Sequence, residues 1–192
     1  MPVHKRPTTV AFGFTAAELL VVMVILAILI VLAVPSFPGA IKRYRIYNAA
    51  MQLSNALQLA RAEAIRARGV VGVGPKTNDP NCTVSTGTDW HCGVDVNNLS
   101  RAPSLLIKTI PATALEGVNV QFVPSSGGQT ALRYNAMGGF PKGDAPGAML
   151  HIWPAAEAAA TSFFTYTVCT GIGENVKVIS SYTTDPNCRN PP

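Results

Sequence analysis

Residues 14–34 read FTAAELLVVMVILAILIVLAV, 21 positions with a single formal charge, Glu18. A helix of that length, at 1.5 Å per residue, reaches roughly 31 Å and matches a hydrocarbon core of about 30 Å. This one segment accounts for much of an unusual composition. The chain has 192 residues, 48% hydrophobic and only 13% charged, where about a quarter charged is usual for a soluble domain. A plain cytosolic enzyme is excluded on that ground, and plentiful aliphatic residues with sparse charge argue against disorder. The chain beyond Val34 suffices for one small domain with its own core and hardly for two.

Upstream lies MPVHKRPTTVAFG, whose formal charges are Lys5 and Arg6. A basic leader before an apolar run keeps the N-terminus cytoplasmic and sends the chain beyond about Ile41 across the membrane. Three readings compete. A cleaved secretory signal needs an apolar core of about 7 to 15 residues and a small-x-small cleavage site; the run from Leu19 to Val34 is longer, and Pro38-Gly39-Ala40 puts proline where a small residue is wanted. An uncleaved signal anchor fits the length but leaves Glu18 unexplained, since a carboxylate at membrane depth costs on the order of 2.5 to 3.5 kcal/mol.

The third reading takes Glu18 together with its neighbours. Gly13-Phe14-Thr15-Ala16-Ala17-Glu18-Leu19 resembles the cleavage site of the type IV pilin and pseudopilin superfamily: a short basic leader, glycine before the cut, phenylalanine after it and glutamate at the fifth mature position. The resemblance implies cutting between Gly13 and Phe14 by a prepilin peptidase, N-methylation of Phe14, and assembly into a filament through the apolar helix. Cleavage would place a positive amine on Phe14, four residues from Glu18 and at a helix N-terminus where a carboxylate is favoured. The family's proposed contact pairs this glutamate with the amine of a neighbouring subunit. Such a pair would set axial register, because either charge alone in apolar surroundings is costly.

Pro35 and Pro38-Gly39 interrupt the run, and a proline inside a helix removes a backbone hydrogen bond and bends the axis. Pro35 stands where the family commonly has proline, and the resemblance implies a kink or a locally melted stretch there. Beyond it, Ile46, Ala50, Leu53, Leu57, Ala60 and Ala64 recur every three or four residues, the mark of an amphipathic helix with one apolar stripe, read here as core packing. Arg66 and Arg68 near the end and Gly69 beyond predict a left-handed glycine cap. The expectation is one helix from Phe14 to about Arg68.

After Gly69, short apolar runs separated by Gly, Pro, Asn, Asp and Ser predict strands and turns. The strands expected are 70–73, 93–96, 105–110, 118–123, 131–134, 149–153, 163–169 and 176–179. The fold class is α+β: a long N-terminal helix, transmembrane in its lower half, packed on an antiparallel β head. The domains are a leader over 1–13, an apolar helix over 14–34, an amphipathic half over 35–68 and an exported head over 69–192. Cys82, Cys92, Cys169 and Cys188 all fall in that head, where disulfides form and persist. Of three connectivities the two short loops, Cys82 with Cys92 and Cys169 with Cys188, are favoured; the second is worth roughly 3 kcal/mol on chain entropy. Zinc is disfavoured because no C-x-x-C pair is present.

Within the superfamily the head is similar to the GspH/FimT branch of minor pilins and pseudopilins. Three stretches carry this: Leu59-Ala60-Arg61-Ala62-Glu63-Ala64-Ile65, Trp90-His91-Cys92-Gly93-Val94-Asp95-Val96-Asn97 and Val176-Lys177-Val178-Ile179-Ser180. The resemblance implies a structural subunit of a type IV pilus or type II secretion pseudopilus that helps to prime assembly. The implied partners are other major and minor pilins or pseudopilins, prepilin peptidase and an inner-membrane assembly platform. The implied location is the bacterial inner membrane, single-pass with the head in the periplasm, then the filament. Some members bind DNA through a glycine-arginine motif after the last strand. Here that tail reads Ser180-Ser181-Tyr182-Thr183-Thr184-Asp185, without the arginines, although Lys177 and Arg189 lie nearby.

No catalytic residue, cofactor or metal site is expected. His4 is in the leader, His91 reads as a turn residue, and His151 as a satisfied core or sheet-face histidine. No serine elbow, phosphate loop or H-E-x-x-H helix occurs. Asp89, Asp95, Asn97 and Asn98 offer oxygen ligands for calcium at a spacing unlike an EF-hand, and turn chemistry explains them as well. A membrane-anchored periplasmic enzyme therefore has little to recommend it. Charge divides by location. Residues 42–68 carry six basic and one acidic side chain, while residues from Gly69 onward carry seven basic and eight acidic. The head is close to neutral, which disfavours nucleic acid as a partner.

Overall fold

The structure, a computed structural model, describes residues 14–33, 37–76, 90–125, 128–144, 147–159, 161–171 and 176–185. The chain divides into two compact units, Met1–Ala40 and Ile41–Pro192. In the first, helix α1 runs Ala16–Ala33 and is apolar on every face. Helix α2 runs Phe37–Ala67. The helix expected from Phe14 to Arg68 is thus seen as these two stretches, and Pro35 lies outside the described residues.

All six stripe residues, Ile46, Ala50, Leu53, Leu57, Ala60 and Ala64, are buried, joined by Ala49, Ser54 and Ala56. The small residues let α2 lie close to the strands while Leu53 and Leu57 fill the space between. Among the described residues eight strands follow, each overlapping an expected one: β1 Val71–Pro75, β2 Gly93–Asn98, β3 Leu105–Pro111, β4 Val118–Pro124, β5 Leu132–Tyr134, β6 Ala148–Pro154, β7 Tyr166–Thr170 and β8 Lys177–Ile179. They form two four-stranded antiparallel sheets, ordered β3-β2-β1-β5 and β4-β6-β7-β8. One core joins the α2 stripe to both sheets through Val71, Val73, Val94, Val96, Leu132, Phe122, Leu150, Ile152 and Val168. Trp90 is buried at its edge, its ring stacked on Phe122 at 4.9 Å and its Nε1–H donating to the Thr130 carbonyl at 3.2 Å.

Strand β6 is buried along almost its whole length because both of its faces are covered. Ala148, Leu150 and Ile152 point into the core, while Met149 and His151 alternate to the opposite face. There the C-terminal tail packs: Tyr182 stacks on His151 at 4.5 Å, and Thr167 Oγ1 donates to the Ser181 carbonyl at 2.7 Å.

Two local expectations are corrected. The left-handed cap of α2 is Arg68, with φ 50°, and not Gly69. Arg68 N–H donates to the Ile65 carbonyl at 3.3 Å and Gly69 N–H to the Ala64 carbonyl at 3.1 Å, the paired bonds of a Schellman turn set one residue earlier than expected. Glycine is needed at 69 for space, since a Cβ there would lie 2.8 Å from the Ser100 Cβ. The strand expected from Phe163 begins only at Tyr166. Thr165 Oγ1 donates to the Ala159 carbonyl at 2.9 Å and Phe164 N–H to Ser162 Oγ at 3.2 Å, which hold residues 162–165 in a turn and leave Phe163 98% exposed.

Candidate assembly site

The N-terminal end of α1 is built by Thr15 and Glu18. Thr15 N–H donates to Glu18 Oε2 at 2.9 Å, Thr15 Oγ1 donates to the same oxygen at 3.0 Å, and Glu18 N–H donates to Thr15 Oγ1 at 3.3 Å. This is a reciprocal capping box, in which each side chain satisfies the other's otherwise orphaned backbone donor. It fixes the glutamate in the first turn, where the helix dipole favours a carboxylate. Oε1 accepts no hydrogen bond among the described residues, so the carboxylate can take a further donor. Phe14 precedes the box and is exposed. Gly13 lies outside the described residues.

Beyond the cap, the large side chains of α1 from Leu19 to Val31 are each 47% to 72% exposed. A helix apolar all round with this much open surface has to be covered by lipid or by other helices. Its 18 described residues reach about 27 Å, and among the described residues no helix is long and apolar enough to cross a membrane.

Cys92 and Cys169 are each in a disulfide, whereas Cys82, Cys188 and Asp89 lie outside the described residues. Asp95 Oδ1 accepts from Thr109 Oγ1 at 2.7 Å across the β2–β3 pair, and Asn98 Oδ1 accepts from Ser100 N–H at 3.0 Å to close a turn. Among the described residues no three His, Cys, Asp or Glu side chains group closely enough to hold a metal ion. His91 is half-buried in the turn before β2, its Nε2 3.5 Å from Cys92 Sγ. His151 is buried, with Nδ1 3.2 Å from Thr167 Oγ1, and burial holds its pKa below the usual 6.5. Its neighbours are the Thr167 hydroxyl, which donates onward to the Ser181 carbonyl, and the Tyr182 ring, an arrangement that orders the tail. Burial likewise pushes the Tyr134 phenol well above its ordinary value.

Sequence reading missed the capping box, although Thr-x-x-Glu before an apolar run is its signal. It also missed the Arg133–Asp144 pair, 2.6 Å between Nη2 and Oδ1, which joins β5 to a loop and has no local signature.

An apolar, glutamate-capped helix followed by an amphipathic helix packed on antiparallel sheets makes the architecture of a pilin-like subunit. The chain belongs to the GspH family: the family model described as "Type II transport protein GspH" matches residues 49–180, more than half of the chain. Two crystal structures of the type IV minor pilin FimU of Pseudomonas aeruginosa strain PAO1 are similar to it. The P65 form has a TM-score of 0.48 and 14% identity, covering 68% of this chain and 90% of that one. The P21 form has a TM-score of 0.47 and 15% identity, covering 66% and 82%. No curated protein matches the chain. The family and fold are those of structural pilins and not of enzymes.

Proposed function

We propose that the chain is a minor pilin or pseudopilin, anchored in the bacterial inner membrane with its head in the periplasm. Prepilin peptidase cuts it between Gly13 and Phe14, Phe14 is N-methylated, and the mature chain enters a type IV pilus or type II secretion pseudopilus through residues 14–34, where it helps to prime assembly. Family membership supports filament partnership with other pilins or pseudopilins. The observation that carries the reading is the capping box, which holds Glu18 at the start of a helix that is apolar and exposed on all faces. Thr15 uses one of the glutamate's oxygens; the other is the acceptor for the amine of a neighbouring Phe14. Cys82 with Cys92 and Cys169 with Cys188 staple the head.

Glutamine also completes a capping box, so Glu18→Gln separates helix capping from charge. The variant should be processed and stay in the membrane, yet be lost from the sheared filament or pseudopilus fraction. Recovery at wild-type levels in that fraction would overturn the register role of Glu18. DNA uptake is not favoured, given the near-neutral head and the missing arginines of residues 180–185. Duplex DNA binding that weakens steeply with salt would reverse that judgement.

A further inference from the structure

Shortly after the apolar segment the chain reads Ile41-Lys42-Arg43-Tyr44-Arg45-Ile46-Tyr47, all within α2. Every side chain from Ile41 to Arg45 is exposed, and burial begins at Ile46. The exposed set mixes three cations with apolar and aromatic surface: Ile41 is 50%, Tyr44 67% and Tyr47 47% exposed. Lys42 Nζ stands 3.6 Å from Glu157 Oε1 in a solvent-facing pair. Arg43 and Arg45 pair with no carboxylate among the described residues, although Arg45 shares a shallow hollow with Glu116. No acidic residue occurs between Glu18 and Glu63.

These cations run against the export signal. Lysine and arginine beside an apolar segment favour the cytoplasmic side, and the three after the segment outnumber Lys5 and Arg6 before it. An anionic partner on the exit side would offset that cost. Ile46 is buried, Tyr47 packs edge-to-face on Tyr166 at 5.9 Å and Lys42 and Arg45 lie beside Glu157 and Gly117, so the head takes one face of this segment and leaves Ile41, Arg43 and Tyr44 exposed beside it. Guanidinium and ammonium groups interleaved with tyrosine and isoleucine suit the headgroup layer of an anionic bilayer, with phosphates for the charges and the acyl boundary for the rings.

We propose that Ile41–Tyr47 is a collar that binds anionic phospholipid headgroups at the periplasmic surface of the inner membrane and holds the subunit there until it is drawn into a filament. This rests on the membrane-anchored reading above. Each basic side chain near an anionic surface contributes about fivefold to the attraction, so removing both arginines should weaken the hold of the segment on that surface by on the order of 25-fold.

The test reconstitutes the full chain in vesicles of phosphatidylcholine with about one third phosphatidylglycerol, and measures by spin-label resonance which lipid is immobilised at the protein boundary. Wild type should select phosphatidylglycerol. Arg43→Gln with Arg45→Gln should lose most of that selectivity, Arg43→Lys with Arg45→Lys should keep it, and salt should erode it. Equal selection of both lipids by wild type, or selectivity unchanged in the glutamine variant, overturns the collar. So does unchanged lipid selectivity accompanied by loss from filaments, which would assign these cations to a subunit contact. A chain that does not float with these vesicles defeats the membrane-anchored reading itself, whereas one that floats but shows no selectivity defeats the collar alone.

Discussion

Gly69→Ala is expected to destabilise the head by about 2 kcal/mol, for a reason that a second substitution isolates. The added methyl would lie 2.8 Å from Ser100 Cβ. Ser100 has little room to retreat: its Oγ accepts the Val70 N–H, its own N–H donates to Asn98 Oδ1 at 3.0 Å, and the adjacent Leu99 N–H donates to the Val70 carbonyl at 2.8 Å. Overpacking of this kind costs about 1 to 3 kcal/mol, and displacing Oγ from Val70 adds about 1 kcal/mol. The stiffer unfolded chain of alanine returns about 0.4 to 1 kcal/mol. Ser100→Gly alone should cost about 1 kcal/mol, since it leaves Val70 N–H unpaired. The double variant should then be more stable than additivity allows, by about 1 to 2 kcal/mol, because the methyl fills the vacated space. Urea unfolding of the full chain in detergent, followed by tryptophan fluorescence, gives all four corners of the cycle. Additivity within about 0.5 kcal/mol would refute the steric account. Arg68→Gly serves as the control, expected to be neutral or stabilising by up to about 1 kcal/mol since Arg68 carries the positive φ.

Leu57 borders Phe122, Leu132, Leu150 and Val168 from both sheets, so Leu57→Ala should cost about 2 to 5 kcal/mol, while exposed Gln58→Ala should stay within about 0.5 kcal/mol; equal midpoints in urea would contradict this core. His151 has its folded pKa held below the unfolded value near 6.5. The unfolded state therefore takes up the proton first, and stability should be full above about pH 6.5 and decline as pH falls below it. In His151→Gln the decline over that window should flatten, and an unchanged pH profile would refute burial as its cause. Asp144 is nearly enclosed, with Oδ2 unpartnered among the described residues. Since the Arg133 end of the pair is half exposed, Arg133→Gln should cost about 1 to 2 kcal/mol, and Asp144→Asn placed on top should recover part of it; strict additivity would count against the pair.

Strongly periodic signals were legible. The six-residue α2 stripe and all eight strands could be read because burial imposes a period of 3.6 or 2 on side-chain choice. His151 was read as a satisfied core or sheet-face histidine, and it is buried on the sheet. The misses sit where local geometry depends on a distant partner. Gly69 answers to Ser100, thirty-one positions on, so its neighbourhood in sequence suggested the wrong reason for a glycine. Phe163 looked like a strand residue by its aromatic character, but Ser162 and Thr165 side chains bond the backbone and turn the chain outward. Asp144 and Tyr182 acquire meaning only from β5 and β6. For the proposed assembly site, Gly13, Phe14 and Glu18 are picked out by their register along the chain alone, and the structure adds the Thr15 cap of Glu18.

The central claim is that this chain becomes a filament subunit by a cut that frees Phe14 beside Glu18. Mass spectrometry of the N-terminal peptide from membrane and filament fractions tests it most directly. The account predicts a mature chain beginning with N-methylated Phe14; a chain beginning at Met1, or one cut near Ile41 and released without its apolar helix, would contradict it.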